Sequence, residues 1–338
     1  MVHPLRCSLF GYSTYPKPDN QEKSLYISFF AEAGVVWYVI NPGEFTNNKE
    51  ITTLDPTFTI AYSVVGEGSC SVALGSTIYM MFCDEMEGST NVVTFETRKR
   101  SGGDDPFICR KLNSHTLGER TKPTLVSTHG KMYVFGSSVS SPKPWAEVFD
   151  PDLNLWSPLP DPPKKVCESS YGYCCISVVV VGDKIYVCMY SVMSVFSFDV
   201  KTKVWEQVTT PLSDAFHWSF GGTVLDDILF MYSLGSVMAY DLTNEIWFEK
   251  PVKGLGIKST SELPLRELRY GHIVAIGNKT LCVVWEDNVD SRACVHCVKF
   301  RIERAVNSKR QSFLRADVQG RSTYHITAGC LFSDCLAL

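Results

Sequence analysis

The chain has 338 residues, 45% hydrophobic and 20% charged, with a formal net charge of −4. That balance supports a sizeable core and carries no basic excess of the kind that draws a protein to nucleic acid or an anionic membrane. The longest apolar run, Cys174 to Val181, is far short of the ~18 residues a membrane helix needs, and Met1 to Phe10 lacks the pattern of a signal peptide.

In chain order, the first readable elements are Ser24 to Phe30 and Val35 to Ile40, two apolar runs rich in β-branched and aromatic residues. Gly75 to Met80 then places a tight turn before an apolar strand, and Phe95-Glu96 closes a weak first copy of a repeating unit over about 70–112. Thr97 to Asp105 has no strand pattern and reads as an exposed excursion. Three strong copies follow over about 124–165, 174–212 and 220–252. Each ends a strand in an aromatic-Asp pair with a Trp six positions after the Asp: Asp150 and Trp156, Asp199 and Trp205, Asp241 and Trp247. A turn and strand precede each pair, as in His129 to Val134, Gly182 to Val187 and Asp226 to Phe230. A fifth, degenerate copy over about 270–302 puts Phe300-Arg301 in the aromatic-Asp slot. Glu303 to Arg321 reads as a second exposed excursion, and Thr323 to Phe332 as a last apolar segment.

Four short strands per roughly 45–50 residues, repeated in tandem, are the signature of a propeller blade. The expectation is an all-β propeller of six four-stranded blades in one domain, 1–338, with the sixth blade assembled from about 24–60 and 323–332. The indoles of Trp156, Trp205 and Trp247 are expected between blades, and the Asp carboxylates are expected to cap the following turn. These six residues are assigned to the fold.

The units resemble kelch repeats, and more narrowly the plant F-box/kelch-repeat family. Gly130 to Pro160 carries Gly-Lys-Met-Tyr-Val-Phe-Gly, Trp-Ala-Glu-Val-Phe-Asp-Pro and Leu-Trp-Ser-Pro-Leu-Pro, and the Ser24 to Ile40 run, ending Val-Val-Trp-Tyr-Val-Ile, resembles the strand pair that opens the family's propeller. The Gly doublet expected after the second strand is reduced to Gly136-Ser137, Met189-Tyr190 and Tyr232-Ser233. The resemblance implies a protein- or peptide-binding scaffold that is not an enzyme, related to the substrate receptors of ubiquitin ligases. In that family the F-box docks on the Skp adaptor of a cullin-type ligase. Only Met1 to Lys23 precede the first strand, so this chain is expected to make no F-box contact of its own. By the same resemblance, partners bind where the loop after strand two meets the loop entering strand one. Transferred here, that face holds Tyr171, Tyr190, His217, Trp218, Arg269, Tyr270 and Trp285, beside Ser191 and Glu286.

The alternative is a metal-dependent kelch-type enzyme, an oxidase or a specifier-like protein, with His217, Asp84, Glu85 and Glu286 near the loops at one end. Their spacing carries no ligand signature, and Cys294-Val295-His296-Cys297 is a lone pair whose thiols face opposite sides of a strand. No cofactor or metal is therefore expected. The seven histidines sit in no nucleophile motif. Thr97 to Arg100 and Lys299 to Arg321 are basic but lack interleaved stacking aromatics, so no nucleic-acid partner is expected. The 13 cysteines, odd in number and scattered, read as buried thiols of a reducing compartment, cytoplasmic or nuclear.

Overall fold

The computed structural model describes residues 22–32, 34–45, 51–62, 69–84, 89–97, 107–118, 120, 123–136, 144–164, 176–189, 194–208, 219–233, 235–257, 271–289, 292–306, 312–327 and 331–338. It is a six-bladed all-β propeller.

Blade 1 takes β1 (Leu25–Ala31), β2 (Gly34–Ile40) and β4 (Phe58–Ala61) from one end of the chain and β25 (Leu331–Ala337) from the other. Blade 2 is β5 (Cys70–Leu74), β6 (Thr77–Asp84), β7 (Ser89–Glu96) and β8 (Arg110–Lys111). Blade 3 is β9 (Thr124–Thr128), β10 (Lys131–Phe135), β11 (Ala146–Asp150) and β12 (Leu155–Pro158). Blade 4 is β13 (Ile176–Val181), β14 (Lys184–Met189), β15 (Ser194–Asp199) and β16 (Val204–Val208). Blade 5 is β17 (Ser219–Leu225), β18 (Ile228–Ser233), β19 (Ser236–Asp241) and β20 (Ile246–Trp247). Blade 6 is β21 (Gly271–Gly277), β22 (Thr280–Val289), β23 (Arg292–Val306) and β24 (Ser312–Ile326), with β3 (Ile51–Leu54) as a fifth strand. Strands β25, β5, β9, β13, β17 and β21 each neighbour the next, which closes the innermost ring.

The core is six interfaces rather than one centre. Each hydrophobic cluster joins two adjacent blades, because a blade's two apolar faces can be buried only against its neighbours. Trp156 packs among Val72, Met81 and Val92 of blade 2 and Leu125, Met132 and Val134 of blade 3. Trp205 lies between blades 3 and 4 and donates its indole N–H to the Pro160 carbonyl at 2.9 Å; Trp247 lies between blades 4 and 5.

Each repeat Asp folds its own turn. Asp150 accepts the N–H groups of Asp152 and Leu153, Asp199 those of Lys201 and Thr202, and Asp241 those of Thr243 and Asn244, at 2.8 to 3.3 Å. Four positions after each Asp the backbone turns left-handed, at Asn154, Lys203 and Glu245, and the outer strand begins. In blade 2, Glu96 instead accepts from the hydroxyls of Ser76 and Thr77.

Two expectations are corrected here. Glu303 to Arg321 is no excursion: strands β23 and β24 run antiparallel through it, paired from Cys294↔His325 to Val306↔Ser312. Arg301, in the slot of the repeat Asp, cannot accept the N–H groups that fold the turn, so both strands run on. Thr323 to Ile326 consequently belong to blade 6, and the strand that closes blade 1 is Leu331–Ala337, paired with β1 from Leu25↔Ala337 to Phe30↔Leu331.

The closure is reinforced from outside. The chain between β2 and β4 leaves blade 1, and β3 adds to the outer edge of β24 in parallel register, Thr323↔Ile51 to Ile326↔Leu54. Lys299 ties the same junction, donating to Glu22 at 2.9 Å and to the Pro42 carbonyl at 3.0 Å.

Candidate partner-binding face

The two faces of the ring differ in their connections. On one, the turns joining the first two strands occupy only residues 75–76, 129–130, 182–183, 226–227 and 278–279, beside the connections from third to fourth strand of the same blades, of which the one from β7 to β8 is the long exception. Both central residues have positive φ at His129-Gly130 and at Asp226-Asp227, the geometry of the tight hairpin turn that matches strand twist. The opposite face carries the loops after the second strand, from two residues between β18 and β19 to ten between β10 and β11, and the connectors that leave the fourth strand for the next blade. Length varies there, on a scaffold whose strands are fixed.

On that face a buried ion pair organises the entry to blade 3. Arg120 and Glu147 meet at 2.6 Å, and both side chains are fully buried. Arg120 also donates to the carbonyls of Gly136, Trp145 at 2.8 Å and Pro144 at 3.0 Å, which fastens the loop between β10 and β11. Glu147, on β11, accepts the N–H groups of Leu117 at 2.7 Å and Gly118 at 3.1 Å. The Arg120 N–H reaches Thr90 of blade 2 at 2.7 Å. Burial pulls the Arg120 guanidinium below its ordinary value, and the Glu147 carboxylate opposes that shift. Two loops are thus held by one charge pair, and the Arg120 backbone N–H ties them to blade 2.

A second cluster lies on the same face between blades 6 and 1. The Glu286 carboxylate accepts the Phe332 N–H at 3.0 Å, and the His272 ring lies 5.2 Å from the Phe332 ring. Burial pushes the Glu286 carboxyl up to about 7 and the His272 imidazole down to about 4. Asp334, further along β25, is pushed up to about 7 by burial as well. These groups anchor the start of the closing strand.

Of the seven residues expected on this face, Tyr171, Tyr190, His217, Trp218, Arg269 and Tyr270 lie outside the described residues. The structure places Trp285 away from the surface. It is 6% exposed, packed with the blade 5 and 6 core, and stacked on His296 at 5.0 Å. Arg120 escaped the sequence reading, although its place just before β9 is comparable to that of Arg269 before β21. The signal was positional, since nothing in residue type marks an Arg as buried rather than exposed.

Cys294 and Cys297 face opposite sides of β23. The Cys294 thiol lies 3.0 Å from His325 Nδ1, while Cys297 is in the core shared with blade 1. Among the described residues no three His, Cys, Asp or Glu side chains converge as a metal set. No helix among them is long and apolar enough to cross a membrane.

The model of the family described as FKB95, Kelch-repeats domain, matches residues 37–311. The F-box/kelch-repeat protein At4g29370 of Arabidopsis thaliana is 28% identical over 220 residues, 64% of this chain and 54% of that protein. F-box/kelch-repeat protein At4g39590 of the same plant is 25% identical over 315 residues, 87% of this chain and 72% of that protein. The first of these matches therefore spans about half of the relative's length. Among solved structures, the chain is similar to YjhT over 89% of its own length and 99% of that chain, at 16% identity and a TM-score of 0.46.

Proposed function

The chain belongs to the FKB95 kelch-repeats domain family, and from that premise we propose that it is a non-enzymatic scaffold binding a protein or peptide partner on the face that carries the long connectors. The carrying observation is the asymmetry of the ring. Two-residue turns join the first two strands of blades 2 to 6 on one face, whereas the connectors that enter the next blade lie on the other, one of them pinned by the Arg120–Glu147 pair. Recognition on loops held by a rigid scaffold is how folds of this kind acquire partners without changing their core. Tyr171, Tyr190, His217, Trp218, Arg269 and Tyr270 fall in those loops by sequence, and Trp, Tyr and Arg are the types that dominate binding hot spots. The relatives' names support a finer reading, in which the bound partner is a substrate presented for ubiquitin-dependent turnover in the cytoplasm or nucleus.

The test is affinity capture from a homologous extract with the wild-type chain, Trp218→Ala and Arg269→Ala, quantified by mass spectrometry. The reading expects a small set of proteins retained by the wild type and depleted on both variants. An identical set on all three places the contact elsewhere.

A further inference from the structure

Blades 1 and 2 meet at their inner ends through a set of oxygen side chains that the apolar packing around them does not account for. On β25, Phe332 and Cys335 pack toward blade 6, whereas Leu336 packs toward blade 2. Asp334, two positions before Leu336, shares its side, and its carboxyl approaches Ser71 of β5. On β5, Cys70, Val72 and Leu74 pack toward blade 3. Alternation therefore turns Ser71, and Ser69 just ahead of the strand, toward blade 1 and Asp334. Ser28 on β1 is fully buried and accepts the Asp334 N–H at 3.1 Å, which sets β25 in place.

These oxygens are under-used. Ser69 and Ser71 are each 6% exposed, and neither hydroxyl has a hydrogen-bond partner within the protein. Oδ2 of Asp334 is enclosed and equally unbonded, although Ser71 lies close enough to temper the carboxyl's charge. Among the described residues no Lys, Arg or His pairs with this carboxylate. A carboxylate oxygen withdrawn from water needs a proton or a cation, and enclosed hydroxyls need partners of their own.

The chemistry of the set decides between the two. A proton on Asp334 satisfies one oxygen and leaves the serine lone pairs unused. A cation between the strands draws on the carboxylate and both hydroxyls together. Every electron-pair donor here is an oxygen, since the Cys70 side chain turns to the other side of β5. Such a set suits a hard cation and not a thiolate-seeking one. Strands β25 and β5 neighbour each other in the innermost ring, and Asp334 keeps partial exposure there, which gives an ion its way in.

We propose that Asp334, Ser69 and Ser71 bind one hard cation, sodium or calcium, between β25 and β5. The ion fastens the strand that closes the ring, drawn from the far end of the chain, to the second blade.

The test is thermal unfolding of the full chain, stripped with chelator and held in choline chloride at about pH 8, where Asp334 is ionised. NaCl, KCl, MgCl2 or CaCl2 then replaces the choline salt at constant ionic strength. The expected result is a saturable rise of the midpoint with sodium or with calcium, and the responding salt identifies the ion. The rise should be lost in Asp334→Asn and in Ser69→Ala with Ser71→Ala, and kept in Asp199→Asn, a carboxylate of the repeat far from the site. The serine variant retains every charge and removes only two small hydroxyls, so it reports even where Asp334→Asn fails to fold. A midpoint that responds to neither sodium nor calcium, that responds alike to all four salts, or whose rise survives either site variant overturns the proposal.

Discussion

Blades 3 to 5 and the junction of blades 6 and 1 solve the same problem by different means. In blades 3 to 5 each outer turn is folded by an Asp that accepts two backbone N–H groups, and an indole six positions on fills the gap to the preceding blade. At the closing junction neither device is present. Arg301 replaces the Asp, the strands lengthen into a hairpin from Arg292 to Ile326, and β3 crosses from blade 1 to pair with its edge. Local chemistry sets the geometry of the repeat, whereas long-range pairing sets the closure. The contrast has a thermodynamic side: the repeat holds its carboxylates as anions through turn N–H groups, even at buried Asp241, and the closure buries carboxyls held up near neutrality.

The largest expected effect tests how much the repeat region depends on the fully buried Arg120–Glu147 pair. Glu147→Ala leaves the Arg120 guanidinium without its anion and should cost about 3–5 kcal/mol in denaturant unfolding. The double variant Arg120→Met, Glu147→Leu removes both charges and should recover a large part of that loss. A double variant as unstable as the single would show that the carbonyl contacts of Arg120, rather than the charge pair, hold the entry to blade 3. Close behind comes Trp156→Ala, which empties the space between blades 2 and 3 and should cost about 3–4 kcal/mol, because the flanking strands cannot collapse into it. A loss under about 1 kcal/mol would mean that the ring relaxes at that interface.

Proton linkage separates the two regions next. Glu286 and Asp334 have folded-state values of about 7, above their ordinary 4.5 and 3.8, so the folded chain holds protons there that the unfolded chain has released. Their contribution is therefore full at low pH and lost as pH rises from about 4 through 7. His272, depressed to about 4 from 6.5, acts in the opposite sense, its contribution growing as pH rises over the same window. The informative measurement is thus a difference. Glu286→Gln with Asp334→Asn should flatten the decline between about pH 4 and 7. In the repeat, Asp199 is lowered by the Thr202 N–H foremost, and Asp150 by Lys131 foremost, so their contribution is present above 3.8 and lost as pH falls below it. A wild-type profile that the double variant reproduces unchanged between pH 4 and 7 would remove the closing carboxyls from the account.

How far the sequence alone reaches follows the same division. The blades of the repeat were legible because their signals are local: an aromatic-Asp pair, a fixed step to Trp, and a tight turn before each second strand. The six-bladed ring followed from their number and from the apolar runs at both ends. The hairpin through Glu303 to Arg321 was illegible because its charged residues look like a solvated loop, and only pairing with a partner strand reveals them as sheet. The same blindness shifted the closing strand from Leu331–Ala337 to 323–332. For the candidate face, position in the repeat found the loops but not the burial of individual side chains. Trp285 was expected in the binding surface and packs between blades, while Arg120, buried at the entry to blade 3, went unmarked. Whether an Arg is a docking group or a structural bolt depends on whether a Glu stands opposite it, and Glu147 is 27 positions away.

The smallest effect tests the comparison at the slot itself, where Asp241 also meets Arg304 at 3.4 Å. Asp241 is buried, and burial raises its carboxyl, but the Asn244 and Thr243 N–H groups outweigh that and hold it below its ordinary value. Asp241→Ala strands both N–H groups in the turn and should cost about 1–2 kcal/mol, with hydrogen exchange rising at Thr243 and Asn244. Arg301→Ala alters the equivalent slot of blade 6, where the register Arg301↔Asp317 continues without a turn, and should change stability by less than about 0.5 kcal/mol. Equal costs at the two positions would mean that the Asp does not fold the turn. The length of β23 would then need another cause, the most direct being the extra pairing of β24 with β3, which would have to draw the hairpin out rather than follow from it.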